Sequence, residues 1–125
     1  MSTSIVAVRG AVSVGQDPNE TQEMISAVGR LIQDLETANE WRPDDLVSIQ
    51  FTQTSDLKRM NAAAALRAAR PDYSRVPLFC AQEPDIDGAP SRLVRILVTW
   101  RGGSSPTPVY IGEASALRPD LFGEE

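Results

Sequence analysis

The sequence predicts one mixed α/β domain whose sheet carries helices on one face, and three observations lead there. Residues 17–40 repeat apolar side chains with the 3.6-residue period of an amphipathic helix. Several short apolar runs alternate with the two-residue period of a strand. These segments follow one another as β-α-β-α-β-β-β, and 125 residues suffice for one domain but not for two ordinary ones.

The first strand is expected over "IVAVR" (5–9), where Gly10 marks a turn or a close backbone approach. In the helix that follows, Asp17 is placed to cap the N-terminus, with Pro18 at the first helical position and Glu20 completing a capping box. Met24, Ile25, Val28, Leu31, Ile32 and Leu35 form its apolar stripe. "RPDD" ends it. The strand "LVSIQFT" (46–52) directs Val47, Ile49 and Phe51 one way and Ser48, Gln50 and Thr52 the other.

A second helix is expected from Ser55 through the alanine run to Arg70, where Pro71 forbids continuation. "VPLFC" (76–80) is the third strand, and a loop with one short helical turn follows. "RLVRILVTW" (92–100) reads as a strand apolar on both faces, Leu93, Arg95 and Leu97 against Val94, Ile96, Val98 and Trp100, so cover is expected on both sides. A last strand, "VYIGEA" (109–114), precedes the polar tail "LRPDLFGEE", and the C-terminal segment 113–125 is expected to be flexible.

Composition narrows the chemistry. A net charge of −5 argues against binding nucleic acid through phosphate neutralisation, and no apolar run reaches the length of a membrane span. No basic segment leads into an apolar core at the N-terminus, so no secretory signal is expected. The one cysteine, Cys80, fits a reducing cytoplasm. The chain has no histidine, which removes Ser–His and Cys–His nucleophile pairs, imidazole metal ligands and a near-neutral proton shuttle. Chemistry here is expected to work by charge placement and orientation.

A guanidinium inside an apolar strand needs an answering charge, because an unpaired buried ion costs several kcal/mol. For Arg95 that charge comes either from a protein carboxylate or from a ligand. Taken singly, the inward groups have structural readings: Arg9 caps a sheet edge, Arg95 and Glu83 form an internal pair, Tyr110 is core. Taken together, three arginines (Arg9, Arg95, Arg118) and a tyrosine around one glutamate are an excess of donors, which suits an anionic ligand.

"VRGA", "TSDLKRMNAAAALR", "CAQEPDIDGAPSRLVRILV" and "VYIGEASALRPDL" together resemble the AroH-class chorismate mutases, the trimeric Bacillus-type family, in one register over nearly the whole chain. The resemblance implies a pseudo-α/β-barrel homotrimer, cytoplasmic and cofactor-free, with sites between subunits, each 1–125 chain forming one domain. It implies the Claisen rearrangement of chorismate to prephenate.

Carried over by residue, Arg95 would bind the breaking ether oxygen and Glu83 would accept from the ring hydroxyl. Arg9 and Tyr110 would hold a carboxylate, and the Cys80 thiol would support Glu83. Leu117 and Arg118 would close over the site, with Asn61 and Ala63 lining the neighbour's. The chain departs from the family pattern at Asn61, where an aromatic is usual, at Ala64, where a lysine is usual, and at Pro90 ahead of the Arg95 strand. Those departures keep two alternatives open: another enol-pyruvyl or pericyclic substrate, or a trimer that binds a carboxylate without catalysis.

Overall fold

A computed structural model describes residues 4–16, 18–103 and 105–117. Five strands, β1 (Ser4–Ser13), β2 (Leu46–Gln53), β3 (Leu78–Gln82), β4 (Leu93–Gly102) and β5 (Val109–Ile111), form one sheet in the order β3-β2-β4-β1-β5. β4 is antiparallel to both its neighbours, whereas β3 pairs parallel with β2 and β5 parallel with β1. The two helices, α1 (Glu20–Asn39) and α2 (Ala62–Ala69), pack on one face, as expected. No helix among the described residues is long and apolar enough to cross a membrane.

The α1 stripe makes that core. Met24, Val28, Leu31, Ile32 and Leu35 are fully buried against Ile49, Phe51, Val94, Ile96 and Val98. Each such side chain contributes about 1.5–3 kcal/mol on leaving water. Gly10 lies inside β1 rather than at a turn, and of its two expected roles the close approach is the one seen. A Cβ there would stand 2.8 Å from the Val109 carbonyl oxygen and 3.3 Å from Leu31 Cδ1.

Several boundaries differ from expectation, each for a local reason. Asp17 falls outside the described residues, and the α1 cap is Asn19, whose side chain accepts from the Gln22 amide. Pro18 therefore precedes the cap, and Glu20 becomes the first helical residue. α1 ends at Asn39 because Glu40 turns left-handed (φ 57°), before the proline is reached.

α2 starts at Ala62, not near Ser55, because Asn61 caps it by accepting from the Ala63 and Ala64 amides. A bulge at Val47 puts Leu46 into the core and leaves Val47 exposed, reversing the expected alternation there. β3 begins two residues later than expected. Beyond β5, residues Gly112–Leu117 form a 3-10 turn that buries Ala114 against Ala11 and Leu93.

β4 is covered by helices on one face only. The Leu93, Arg95, Leu97 face meets the 3-10 turn at one end and stays open elsewhere, leaving Leu97 exposed along with Phe79 of β3 and Ile5 of β1. The expected double cover is thus half present within one chain.

Candidate active site

Strand register assembles the open face. Ala81, Thr52, Arg95, Ala11 and Tyr110 are successive cross-strand partners from β3 to β5, so their side chains share one row. Phe79, Gln50, Leu97 and Arg9 form the next row. A cleft of about 710 Å³ lies over these rows, with Leu117 from the 3-10 turn at its rim. Arg9, Arg95, Tyr110 and Leu117 are therefore brought together, from three strands and a turn.

Glu83, in the loop after β3, lines an adjoining hollow that shares Arg95 with this cleft. Its amide donates to the Gln53 carbonyl (2.8 Å), which continues the β2–β3 pairing and fixes where the carboxylate emerges. One oxygen, Oε2, accepts the Thr52 hydroxyl and lies 2.9 Å from Arg95 Nε. That nitrogen is buried and makes an ion pair without the alignment of a hydrogen bond.

The Arg95 side chain is nevertheless 43% exposed, so the rest of its guanidinium lies toward the cleft. The question posed by the strand thus has a first answer: Glu83 supplies a protein carboxylate. Arg9 adds a second cation with no ion-pair partner among the described residues. Two guanidiniums against one carboxylate leave the cleft suited to an anion.

The other expected residues fall elsewhere. Cys80 pairs with Phe51 on the helix-bearing side, and its thiol lies 3.2 Å from Gln53 Oε1. Within one chain it does not reach Glu83, whose carboxylate lies on the opposite face with Thr52 and Arg95. Cys80 instead lines a second hollow of about 330 Å³ with Lys58, Arg59, Met60 and Asn61. Ala63 is buried in the core. Arg118 lies outside the described residues. Among the described residues, no cluster of carboxylates and thiol is arranged to hold a metal ion.

A clasp that the sequence reading passed over fixes the loop bearing this hollow. Arg92, itself left-handed (φ 51°), donates from its side chain to the Val14 and Gly15 carbonyls and to Glu20 Oε1. Glu20 Oε2 accepts the Lys58 and Arg59 amides, and Asp56 accepts the Arg92 amide. Burial alone would raise both carboxyls. It is outweighed for Glu20 by the Arg59 amide, the Arg92 guanidinium and the Lys58 amide, and for Asp56 chiefly by the Thr54 hydroxyl and the Arg92 amide. Both therefore sit below the ordinary carboxyl range.

Tyr110 is placed from a distance. The buried Asn39 at the end of α1 donates to the Thr107 carbonyl (3.0 Å) and accepts its amide (2.7 Å), anchoring the approach to β5.

Residues 5–121 match the family model for chorismate mutase type I. The chain belongs to the chorismate mutase type I family. It is 29% identical over 120 residues to the chorismate mutase AroH of Bacillus subtilis, covering 94% of this chain and 92% of that one. With the AroH chorismate mutase of Thermus thermophilus it shares 35% identity over 122 residues, covering 91% and 93%. Among solved structures, a chorismate mutase from Clostridium thermocellum superposes with a TM-score of 0.80 at 26% identity, covering 88% of this chain and 97% of that one. Chorismate mutase is an isomerase activity.

Proposed function

We propose that this chain rearranges chorismate to prephenate in the cleft between Arg9 and Arg95, as a cytoplasmic homotrimer in which a neighbour closes each cleft. The observation that carries this reading is the convergence of Thr52 and Arg95 on Glu83 beside Arg9 and Tyr110.

The rearrangement is concerted: the allylic C–O bond breaks, a C–C bond forms, and six electrons shift around the ring without proton transfer. Negative charge grows on the ether oxygen as its bond stretches ahead of C–C formation. A guanidinium held by Glu83 and aimed at that oxygen binds the transition state more tightly than the ground state. Arg9 and Tyr110 take a substrate carboxylate, and Glu83 accepts from the ring hydroxyl. Leu117 and the following Arg118 cover the bound dianion.

The trimer is supported by the exposed Phe79, Leu97 and Ile5 on the open sheet face, and by the edge of β3 that no strand pairs among the described residues. In this reading the hollow lined by Lys58, Arg59 and Asn61 belongs to the copy next to the cleft, and its two cations serve the dianion in place of the lysine that Ala64 lacks. The deciding experiment is loss of chorismate absorbance with prephenate identified as product. Binding without turnover would instead support a carboxylate-binding trimer, and failure to act on chorismate with turnover of another enol-pyruvyl ether would reassign the substrate.

A further inference from the structure

Gln53 closes β2, and both ends of its carboxamide are used. Nε2 donates to the carbonyls of Leu57 (3.0 Å) and Met60 (2.9 Å). Oε1 accepts the Ala62 amide (2.8 Å) and the Cys80 thiol (3.2 Å). Its backbone carbonyl meanwhile accepts the Glu83 amide. One residue thus touches the loop of the second hollow, the start of α2, the β3 thiol and the backbone of the site carboxylate.

Only a carboxamide of this length meets those demands. Leu57 and Met60 need a donor, whereas Ala62 and Cys80 need an acceptor. The Ala62 amide is in the first turn of α2, where Asn61 already serves Ala63 and Ala64, so Gln53 is what satisfies it. A buried donor left unmet costs about 1–3 kcal/mol.

We infer that Gln53 is a positioning residue, locking loop 54–61 against the end of β3 and so fixing the wall of the hollow that faces substrate. The lock stands on these contacts alone; its effect on substrate rests on the reading that a neighbour's hollow closes the cleft. The Glu83 amide bonds to the backbone of residue 53, so exchanging the side chain leaves that carboxylate in place. Gln53 therefore acts on binding rather than on the reacting bond.

Two variants test this, Gln53→Met and Gln53→Glu, with amide exchange, Cys80 alkylation by iodoacetamide and steady-state kinetics on chorismate. Gln53→Met is expected to speed Ala62 exchange and Cys80 alkylation by about tenfold or more, since both groups lose their acceptor. It is also expected to raise KM several-fold while kcat stays within about twofold, the pattern of lost uniform binding. Gln53→Glu keeps an acceptor oxygen for both donors, so Cys80 and Ala62 stay protected. KM still rises, because the donors to Leu57 and Met60 are gone.

If Gln53→Met fails to fold, the Gln53→Glu pattern decides alone. Ala62 exchange and alkylation unchanged in Gln53→Met, or a wild-type KM in Gln53→Glu, overturns the proposal. A loosened loop with unaltered kinetics overturns the positioning role. Should the wild-type chain show no mutase activity, the functional reading falls, and exchange at Ala62 still decides whether Gln53 is the lock.

Discussion

Thr52 and Arg95 face each other across β2 and β4, and both reach the same oxygen of Glu83. The carboxylate is thereby held from a neutral donor on one strand and a charged one on the next. The Thr52 hydroxyl frees Arg95 from acting as the sole anchor. Thr52→Val keeps the shape of the side chain and removes the donor. A hydrogen bond to a charged group is worth about 1.5–3 kcal/mol, so kcat should fall by roughly tenfold or more. Unchanged kcat in a stopped or continuous chorismate assay would mean that Arg95 alone fixes Glu83.

Arg95 should matter most. Losing one donor to a developing oxyanion costs on the order of 10²–10³ in kcat. Arg95→Lys keeps the charge but loses the planar fork that serves Glu83 and substrate together, so it should be badly impaired as well. A neutral urea isostere at this position separates charge from shape. It should bind chorismate with modest loss and turn over very slowly. Near-normal turnover would reduce Arg95 to a structural partner of Glu83.

Acid should loosen the loop before it touches the sheet. Glu20 and Asp56 have folded-state values below the ordinary carboxyl range. Each therefore contributes stability that is fully present above about pH 4–5 and is lost as pH falls through the depressed values. Amide exchange at Lys58 and Arg59 should accelerate, after correction for the intrinsic pH dependence, as pH drops below about 4. Glu20→Gln should show the faster exchange already at neutral pH. Turnover itself should stay flat between roughly pH 6 and 9, because no proton moves in the reaction.

Phe79 is 65% exposed on the open sheet face. Phe79→Glu should leave the single-chain fold intact by circular dichroism and convert the assembly to monomers by light scattering. A wild-type monomer at micromolar concentration would argue against a shared site.

Removal of residues 118–125 takes away Arg118 and leaves Leu117 at the rim of the cleft. KM should rise more than kcat falls, because a closing segment adds mainly uniform binding. An effect confined to kcat would place Arg118 against the reacting bond.

Much of the fold was legible because burial imposes periodicity. The α1 stripe from Met24 to Leu35 points one way only if the segment is helical, and all but the partly buried Ile25 are buried as read. Boundaries were less legible because side chains decide them. Asn19 and Asn61 start helices through their side-chain oxygens, accepting one or two backbone amides, which composition does not order. The bulge at Val47 moves one residue and flips a face without altering the pattern around it.

At the site, Arg9, Glu83, Arg95 and Tyr110 could be picked out as charged or polar groups on strands and at their ends. Thr52 was visible only as half of an alternation, with nothing in the sequence to tie it to Glu83. Arg92 and Gln53 act through backbone carbonyls and amides, which every residue carries, so no side-chain motif announces them.

Gly10 gives the molecule an unusual mutational profile. Its missing side chain lets β1 lie flush beneath Leu31 and beside the Val109 backbone, and its immediate neighbour is Arg9. Even one added methyl would press 2.8 Å from a carbonyl oxygen that has no rotamer to yield. The strand would have to shift, carrying with it Arg9, the arginine we propose holds a substrate carboxylate. Drift at this position is therefore penalised twice, once in foldedness and once in catalysis. A compensating change in α1 that restored packing would not restore the guanidinium to its place, so lineages descending from this chain have little room to explore position 10.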